Sequence, residues 1–167
     1  MVNALKYSSG ERDVIISAED LGNKERIIVS NETDRLTEND LDNKKMDYIV
    51  MDVSFISITK VLEYLVKFCQ PETKLMALIK PQFETDREYI EKGGIVKDTG
   101  QHIKAIKRVI EEGENNGFYI EGLDFSPITG TKGNVEYISI FGLKVENKKN
   151  IDIDGIVKNG KNLGGAV

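Results

Sequence analysis

The sequence predicts an α/β fold with a mostly parallel sheet and an antiparallel last strand. Apolar runs suited to buried strands alternate with segments whose apolar residues recur at three- and four-residue spacing, as in amphipathic helices. The last two strand-like runs, residues 118–125 and 135–145, are joined by only nine residues. A parallel crossover needs about a dozen residues or more, so this pair should run antiparallel.

Composition places the chain among ordinary soluble domains. Its 167 residues, 40% hydrophobic and 31% charged, suit one domain with a sizeable core. No apolar run approaches the ~20 residues that span a bilayer, and the N-terminus has no signal-peptide core. Cys69 is the single cysteine, which excludes an internal disulfide. We therefore expect a cytoplasmic protein with no membrane partner.

The charge distribution gives no bulk signal for nucleic-acid binding. Residues 1–52 hold 12 acidic and 7 basic side chains, and residues 53–167 hold 16 of each, which accounts for the net charge of -5. Nucleic-acid binding usually leaves a basic footprint. A local basic cluster surrounds Asp98, and we favour a solvated helix face for it: Lys97, His102, Lys104, Lys107 and Arg108. His102, without a second histidine or a nearby cysteine, predicts no metal site.

The first half of the chain contains three strand-like segments. Residues 1–24 are polar and divergent, with one short β-like piece at 13–17. The run "ERIIVS" at 25–30 suits a strand, and a polar connection follows. The run "DYIVMDVSF" at 47–55 is almost continuously apolar, as expected for a strand that is covered on both faces.

Two helices and one more strand should come next. An apolar stripe runs from Ile58 to Cys69, with Ser57 as a candidate N-cap and Pro71 beyond its end. Residues 73–80 form another buried strand. Residues 98–101 have capping-box character and open a second helix, which Asn116 and Gly117 should end.

The residues after Glu146 show no periodicity, and we expect a frayed polar tail over 146–167. Within it, Asp152 and Asp154 alternate with isoleucines, as in an edge strand or an irregular tail. The predicted organisation is thus an N-terminal segment at 1–24, one domain at 25–145 and the tail.

Three charged residues, far apart in sequence, fall at one predicted edge of the sheet. Asp52 and Lys80 end parallel strands, and Glu136 opens the antiparallel strand that begins at the same edge. Ligands of open parallel sheets bind at this carboxyl edge. Pro81 should hold Lys80 extended and end the strand ladder. Charged residues at strand ends are often only solvated, so the structural and functional interpretations both remain open.

A lysine between two carboxylates suits one kind of chemistry. Opposite charges favour its protonated form, which can polarise a hydroxyl oxygen. Acting as a general base near neutral pH would require its pKa to fall by about 3, or roughly 4 kcal/mol.

Four motifs give the chain a family resemblance. The segments "DYIVMDVSFISITKVL", "ALIKPQFE", "KGGIVKD" and "SPITGTKGNVEYI" occur in the order in which they occur in hemolysin A (TlyA-type) ribosomal RNA methyltransferases, a branch of the FtsJ-like family. The resemblance covers about residues 25–145, the C-terminal two-thirds of the methyltransferase domain. It implies a Rossmann-like sheet that is incomplete at its N-terminal strands. It also implies methyl transfer from S-adenosylmethionine to a ribose 2′-hydroxyl of RNA.

The resemblance assigns roles residue by residue. FtsJ-like enzymes use a Lys-Asp-Lys-Glu tetrad, and the last three members match Asp52, Lys80 and Glu136. Lys80 would activate the hydroxyl while the two carboxylates orient it and stabilise its charge. The cofactor's methionine end would border Asp52, Val53, Ser54 and Phe55. RNA contacts are expected at Lys97, His102, Lys132 and Asn134.

Two features of the family pattern are not found in the sequence. One is the glycine-rich loop of the type Asp-x-Gly-x-Ser-Thr-Gly-Gly, and the other is the first lysine of the tetrad, for which Lys6 is a candidate substitute. Two hypotheses follow. The first is an rRNA methyltransferase domain that lacks the glycine-rich cofactor loop, with ribosomal RNA or a ribosomal subunit as partner, and its activity as an isolated chain stays open. Alternatively, the chain is a non-catalytic RNA-binding or oligomerisation module, which could form a homo-oligomer.

Overall fold

A seven-stranded mixed sheet forms the centre of the protein. The computed structural model describes residues 3–8, 13–20, 25–30 and 45–164, with side chains for residues 45–130 and 132–162. The strand order is β1-β2-β3-β4-β5-β7-β6. The strands are β1 (Asn3–Ser8), β2 (Asp13–Asp20), β3 (Glu25–Ser30), β4 (Met46–Met51), β5 (Cys69–Ile79), β6 (Tyr119–Phe125) and β7 (Tyr137–Gly142).

The strand directions confirm the α/β fold and the antiparallel last strand, but the expectation of a mostly parallel sheet is wrong, because four of the six pairings between the described strands are antiparallel. Strand β4 pairs in parallel with both β3 and β5. Strand β7 pairs antiparallel with β5 and with β6, as the short 126–134 connection requires. Strands β1 and β2 add antiparallel pairs at the β3 side, so residues 1–24 contain more strand than the one short piece expected there.

Helices cover one face of the β4-β5-β7 part of the sheet. They are α1 (Thr59–Leu65), α2 (Pro81–Glu84), α3 (Thr99–Asn115) and α4 (Ile153–Gly164). Alternate strand residues such as Ile49, Leu75 and Tyr137 are fully buried beneath them, together with Leu65 and Ile106. This two-residue alternation puts the neighbouring strand residues on the other face.

Helix α1 is shorter than its apolar stripe. It ends at Leu65, a 3-10 turn covers Val66–Phe68, and Cys69 already begins β5. The prediction of Ser57 as N-cap is wrong by one residue: Ile58 is the N-cap and makes no side-chain cap bond. The Ser57 hydroxyl still accepts from the backbone N–H of Thr59 at 3.2 Å.

Among the described residues β5 is the longest strand, with 11 residues, while the strand-like run 135–145 yields only the 6 residues of β7. Pro71 lies within β5, where the pairing with β4 is irregular. Thr73 stabilises this irregular stretch, since its hydroxyl donates to the carbonyl of Met46 and accepts from the N–H of Gln70. A local β-bulge of this kind accommodates a residue without an N–H donor.

The expectation of a frayed tail is wrong, because residues 153–164 form α4. The Asp152 carboxylate accepts from the N–H of Gly155 at 3.0 Å, next to the helix start. Ile153, Ile156 and Val157 then pack on the core at helical spacing. Gly160 allows this approach, since a Cβ there would lie 2.9 Å from the Cβ of Phe125. Asp152 and Asp154 therefore belong to a helix start rather than to an edge strand.

Candidate active site

Lys80 and Asp52 form an ion pair at the carboxyl edge of the sheet. Asp52 directly follows β4 and Lys80 directly follows β5. The Lys80 Nζ lies 2.6 Å from Oδ1 of Asp52, and it also donates to the Ser54 hydroxyl at 3.0 Å. The lysine side chain is 12% exposed and the aspartate side chain 60%. The pair therefore fixes a shielded cation beneath a carboxylate that faces solvent.

The local sequence explains the position of Lys80. Its backbone is extended, with φ -113 and ψ 100, and Pro81 follows as the first residue of α2. The Lys80 carbonyl accepts from the N–H of Phe83 at 2.9 Å, which starts the helical turn at once. A proline at this position ends the ladder and favours the extended residue before it, as the sequence predicts.

Glu136 immediately precedes β7 and is buried. Its Oε1 accepts from the Gln82 side-chain amide at 2.9 Å. Gly130 leaves room for this carboxylate, because a Cβ at position 130 would overlap it. Gly130 is thus required for space, and its φ of -69 is open to any residue.

Lys80 and Glu136 line the same cavity, of about 460 Å³, and Asp52 lies beside it through its ion pair with Lys80. Ligand pockets commonly have volumes of ~300–1,000 Å³. The cavity is lined by Ser54, Phe55, Lys80, Gln82, Phe83, Gly93, Gly94, Lys132, Asn134 and Glu136. The three charged residues that were predicted to converge on one edge are therefore held around one site.

One wall of the cavity is aromatic. The rings of Phe55 and Phe83 lie 4.9 Å apart between centroids, and Phe55 is 63% exposed. Phe55 also has φ 64, in the left-handed region that non-glycine residues rarely occupy. Strained backbone of this kind occurs at functional sites, where the surrounding structure holds it. Val53, two residues earlier, is buried in the core and does not line the cavity.

The opposite wall consists of two loops joined by Asn134. Its amide donates to the carbonyl of Gly94 at 2.8 Å and accepts from the N–H of Val96 at 3.2 Å. Both polar ends of Asn134 are thus used within the protein, while the residue also lines the cavity, so its RNA contact stays a prediction. Lys132, with φ 63, is exposed on the same loop and remains a candidate RNA contact.

His102 is fully buried, so the expectation that it contacts RNA is wrong. Its Nε2 donates to the carbonyl of Val96 at 2.7 Å, and its Nδ1 accepts from the Tyr137 hydroxyl at 2.8 Å. Because one ring nitrogen donates and the other accepts, the imidazole of His102 is neutral. Burial lowers the pKa of His102 to about 4, and the nearby charge of Lys161 adds to the effect. His102 braces the strand that follows Glu136.

Lys97 lies outside the cavity lining. Its amine pairs with Glu91 at 2.7 Å, and the side chain is 68% exposed. A long RNA chain extends beyond one pocket, so an exposed lysine here is still a candidate for a phosphate contact. The cluster residues Lys104, Lys107 and Arg108 are also exposed on α3, as expected for a solvated helix face.

Sequence reasoning missed Gln82 and Glu84. Both stand in the motif "KPQFE" at residues 80–84, and their position just after Lys80 could have indicated a role at the site. Gln82 holds Glu136, and Glu84 is buried against Ser57 and Ile58. Burial raises the pKa of Glu84 to about 7.

The described residues contain no group of three or more potential metal ligands and no helix that could cross a membrane.

Comparison with known proteins identifies the family. The sequence profile described as "FtsJ-like methyltransferase" matches residues 13–143. The chain belongs to the FtsJ-like methyltransferase family. This confirms the resemblance and the α/β methyltransferase fold that it implies. FtsJ-like methyltransferases generally use S-adenosylmethionine.

Three members show where this chain lies within the FtsJ-like family. It is 40% identical over 116 residues to "Putative rRNA methyltransferase YqxC" of Bacillus subtilis, a match that covers 68% of this chain and 41% of the relative. It is 34% identical to "16S/23S rRNA (cytidine-2'-O)-methyltransferase TlyA" of Mycobacterium tuberculosis, over 56% of this chain and 35% of the relative. A solved "Putative hemolysin from Streptococcus thermophilus" superposes with TM-score 0.67 at 34% identity, over 75% of this chain and 46% of that chain. The chain spans less than half of each of these proteins.

The candidate first lysine of the FtsJ-like tetrad, Lys6, lies in β1. Lys6 pairs with Ile15, and Ile15 pairs with Ser30. Ser30 follows Val29, the partner of Met51 at the end of β4. The strand register therefore puts Lys6 level with the strand ends at the site. Three strand spacings of ~4.8 Å nevertheless separate β1 from β4, or about 14 Å. The side chain of Lys6 lies outside the described residues.

Proposed function

We propose that this chain provides the catalytic edge of an S-adenosylmethionine-dependent rRNA methyltransferase that modifies a ribose 2′-hydroxyl. The observation that supports it is the ion pair of Lys80 with Asp52, held beside the cavity that Lys80 shares with Glu136. An RNA 2′-hydroxyl is a weak acid that must lose its proton to water as its oxygen gains the methyl group, and a nearby cation lowers the cost of that loss. The family and the rRNA-modifying relatives support the same reaction.

Lys80 acts in its protonated form. Asp52 lies 2.6 Å from the amine and directs one of its N–H bonds, while another reaches Ser54. The remaining N–H can donate to the ribose oxygen, because an ammonium carries three donors. Glu136, held by Gln82, adds a second carboxylate that stabilises the charge and orients the ribose.

The described residues fit the methionine end of the cofactor. When bound, S-adenosylmethionine supplies an electrophilic methyl group on a positively charged sulfur. The exposed Asp52 carboxylate suits such a cationic neighbour, and the Ser54 hydroxyl lies next to it. Residues 31–44, which lie between β3 and β4, are outside the described residues. The sequence has no glycine-rich loop of the family type, so we propose that other residues of this chain hold the rest of the cofactor.

RNA is the proposed substrate, in the form of ribosomal RNA or a ribosomal subunit in the cytoplasm. The proposed phosphate contacts are Lys132, which is exposed at the cavity, and Lys97, which lies beyond it. Phe55 and Phe83 offer apolar ring surface beside the amine that would meet the ribose. Recognition of the 2′-hydroxyl itself distinguishes RNA from DNA.

The experiment is methyl transfer to rRNA by the 167-residue chain with labelled S-adenosylmethionine. Lys80→Ala should abolish transfer, with a loss of about 10²–10⁴-fold, the range typical of a group that assists proton transfer. Lys74→Ala is the matched control. It removes a lysine from β5, the strand that Lys80 follows, and this lysine pairs with Glu121 instead of Asp52. Transfer that survives Lys80→Ala contradicts the proposed role of Lys80.

An oligomerisation module is the second candidate, supported by one observation. On the sheet face that no helix of the described residues covers, Met76 is 45% exposed and pairs with Ile140, which is 37% exposed. Adjacent exposed apolar side chains on a sheet are typical of contact surfaces. Light scattering together with an RNA-binding assay tests this. A self-associating chain that binds RNA and transfers no methyl group supports the module over the enzyme.

A further inference from the structure

Glu84 connects the two segments that carry the ion pair. Its Oε2 accepts from the Ser57 hydroxyl at 2.5 Å, and its Oε1 accepts from the N–H of Ile58 at 2.7 Å. The residue is buried, and its backbone carbonyl accepts from Arg108 of α3 at 3.2 Å. Three separate parts of the chain therefore meet at this one glutamate.

The position of these contacts along the chain is informative. One segment runs from Asp52 to Ile58, and the other runs from Lys80 to Glu84. At one end they are joined by the Lys80–Asp52 ion pair, and at the other end by Glu84. Two loops that are cross-linked at both ends cannot slide or separate independently. The separation of the amine from the Asp52 carboxylate is thereby fixed.

Capping of α1 alone does not explain this buried carboxylate. The N–H of Thr59 already has a local acceptor in the Ser57 hydroxyl. A local side chain could serve Ile58 in the same way, as is usual at helix starts. Burying a carboxylate is costly, and here the acceptor comes from a residue 26 positions away. Compared with a local acceptor, Glu84 additionally connects the segment from Asp52 to Ile58 with the segment from Lys80 to Glu84.

We propose that Glu84 is a positioning residue for methyl transfer, holding Lys80 against Asp52 by tying α2 to the segment 57–58. The inference rests on the proposed function. Glu84 is absent from the cavity lining, so it acts through Lys80 and does not touch the substrate.

Both protonation states of Glu84 preserve the connection. The ionised carboxylate accepts from Ser57 and Ile58, as described. A protonated carboxyl still accepts from Ile58 and donates to Ser57, whose hydroxyl then turns to Thr59 Oγ1 at 2.6 Å. Burial raises the pKa of Glu84 to about 7, against the opposing effects of the Ser57 and Ile58 hydrogen bonds and the Arg108 charge. A glutamine should therefore replace it with the tie intact.

The test compares Glu84→Ala, Glu84→Gln and the control Glu88→Ala, an exposed glutamate in the following turn. The first readout is the acetylation rate of Lys80, measured by mass spectrometry relative to Lys74. Lys80 is only 12% exposed, so its labelling should be slow in the parent chain. We expect a several-fold rise in Glu84→Ala and no change in the other two variants. The same Lys80 rate in all variants overturns the inference.

The second readout is methyl transfer. We expect Glu84→Ala to lower kcat by about 10-fold or more with KM for RNA and the Kd for S-adenosylmethionine nearly unchanged, as when only a transition-state interaction is lost. Glu84→Gln should restore kcat, which a merely destabilised protein would not do selectively. Equal losses in both variants overturn the inference.

Two further arms keep the test decisive. If Glu84→Ala does not fold, as judged by circular dichroism, Ser57→Ala removes one of the two contacts, and faster Lys80 labelling is still expected. Unchanged labelling in Ser57→Ala then counts against the inference. If the parent chain transfers no methyl group, the proposed function fails, while the labelling result alone decides whether Glu84 positions Lys80.

Discussion

Replacing Glu84 with glutamine should make the protein lose stability as the pH falls below 6.5, a dependence that the parent lacks down to pH 4.5. Two buried groups, Glu84 and His102, make the stability of the folded protein depend on pH in opposite directions. Burial raises the pKa of Glu84 from 4.5 to about 7, and burial lowers the pKa of His102 from 6.5 to about 4. Each gap is about 2.5, and at about 1.36 kcal/mol per pH unit each is worth about 3 kcal/mol.

The two contributions have opposite signs. Between pH 4.5 and about 7 the folded Glu84 binds a proton that the unfolded chain has released, so its contribution to stability grows as the pH falls. Between pH 6.5 and about 4 the unfolded His102 binds a proton that the folded ring does not, so its contribution falls with the pH. From pH 6.5 to 4.5 the two slopes cancel in the parent protein.

Glu84→Gln removes one slope and exposes the other. The free energy of unfolding should then fall by about 1.4 kcal/mol for each pH unit below 6.5, through His102 alone. Near pH 8 the variant should be more stable than the parent by up to about 3 kcal/mol, because a neutral amide avoids the cost of the buried charge.

Urea denaturation followed by far-UV circular dichroism measures this across the pH range. The exposed Glu88 provides the matched control, since Glu88→Gln should leave the profile of the parent unchanged. A Glu84→Gln variant that is less stable than the parent near pH 8, with no added slope below pH 6.5, would refute the reasoning.

Three other variants test the site. Gly130→Ala places a Cβ against the Glu136 carboxylate, so methyl transfer should fall by about 10-fold or more while stability changes by less than about 1 kcal/mol. A Gly130→Ala protein that is fully active, with Glu136 in its native position, would contradict this prediction. Tyr137→Phe leaves His102 Nδ1 without a donor in a buried site, which should cost about 1–3 kcal/mol in urea denaturation. Lys132→Ala should raise KM for RNA several-fold and leave kcat and the Kd for S-adenosylmethionine unchanged, whereas a pure loss of kcat would give Lys132 a different role.

Sequence patterns were sufficient to locate the charged edge of the sheet. Strand ends follow from apolar runs and breakers, so Asp52 and Lys80 could be placed at neighbouring strand ends before any coordinates. The nine-residue connection fixed the direction of the last strand, and with it the edge at which Glu136 lies. Pro81 acts as predicted, holding Lys80 extended at the end of β5.

Other features depend on contacts between distant residues, which sequence patterns do not reveal. His102 looked like part of a basic surface, and only the packing of α3 on β7 buries it against Tyr137. The partners of Glu84 are 26 and 27 residues away. Helix α4 had a visible signal in the spacing of Ile153, Ile156 and Val157, which its many polar and glycine residues obscured.

The identity of the product tests the central claim most directly. The 167-residue chain and its Lys80→Ala variant would each be incubated with rRNA and labelled S-adenosylmethionine, and the nucleosides released by digestion would be identified by mass spectrometry. We predict a 2′-O-methylated nucleoside from the parent chain and none from the variant. A methyl group on a base, no methylated product from the parent chain, or an undiminished 2′-O-methyl product from Lys80→Ala would contradict a Lys80-dependent ribose methyltransferase.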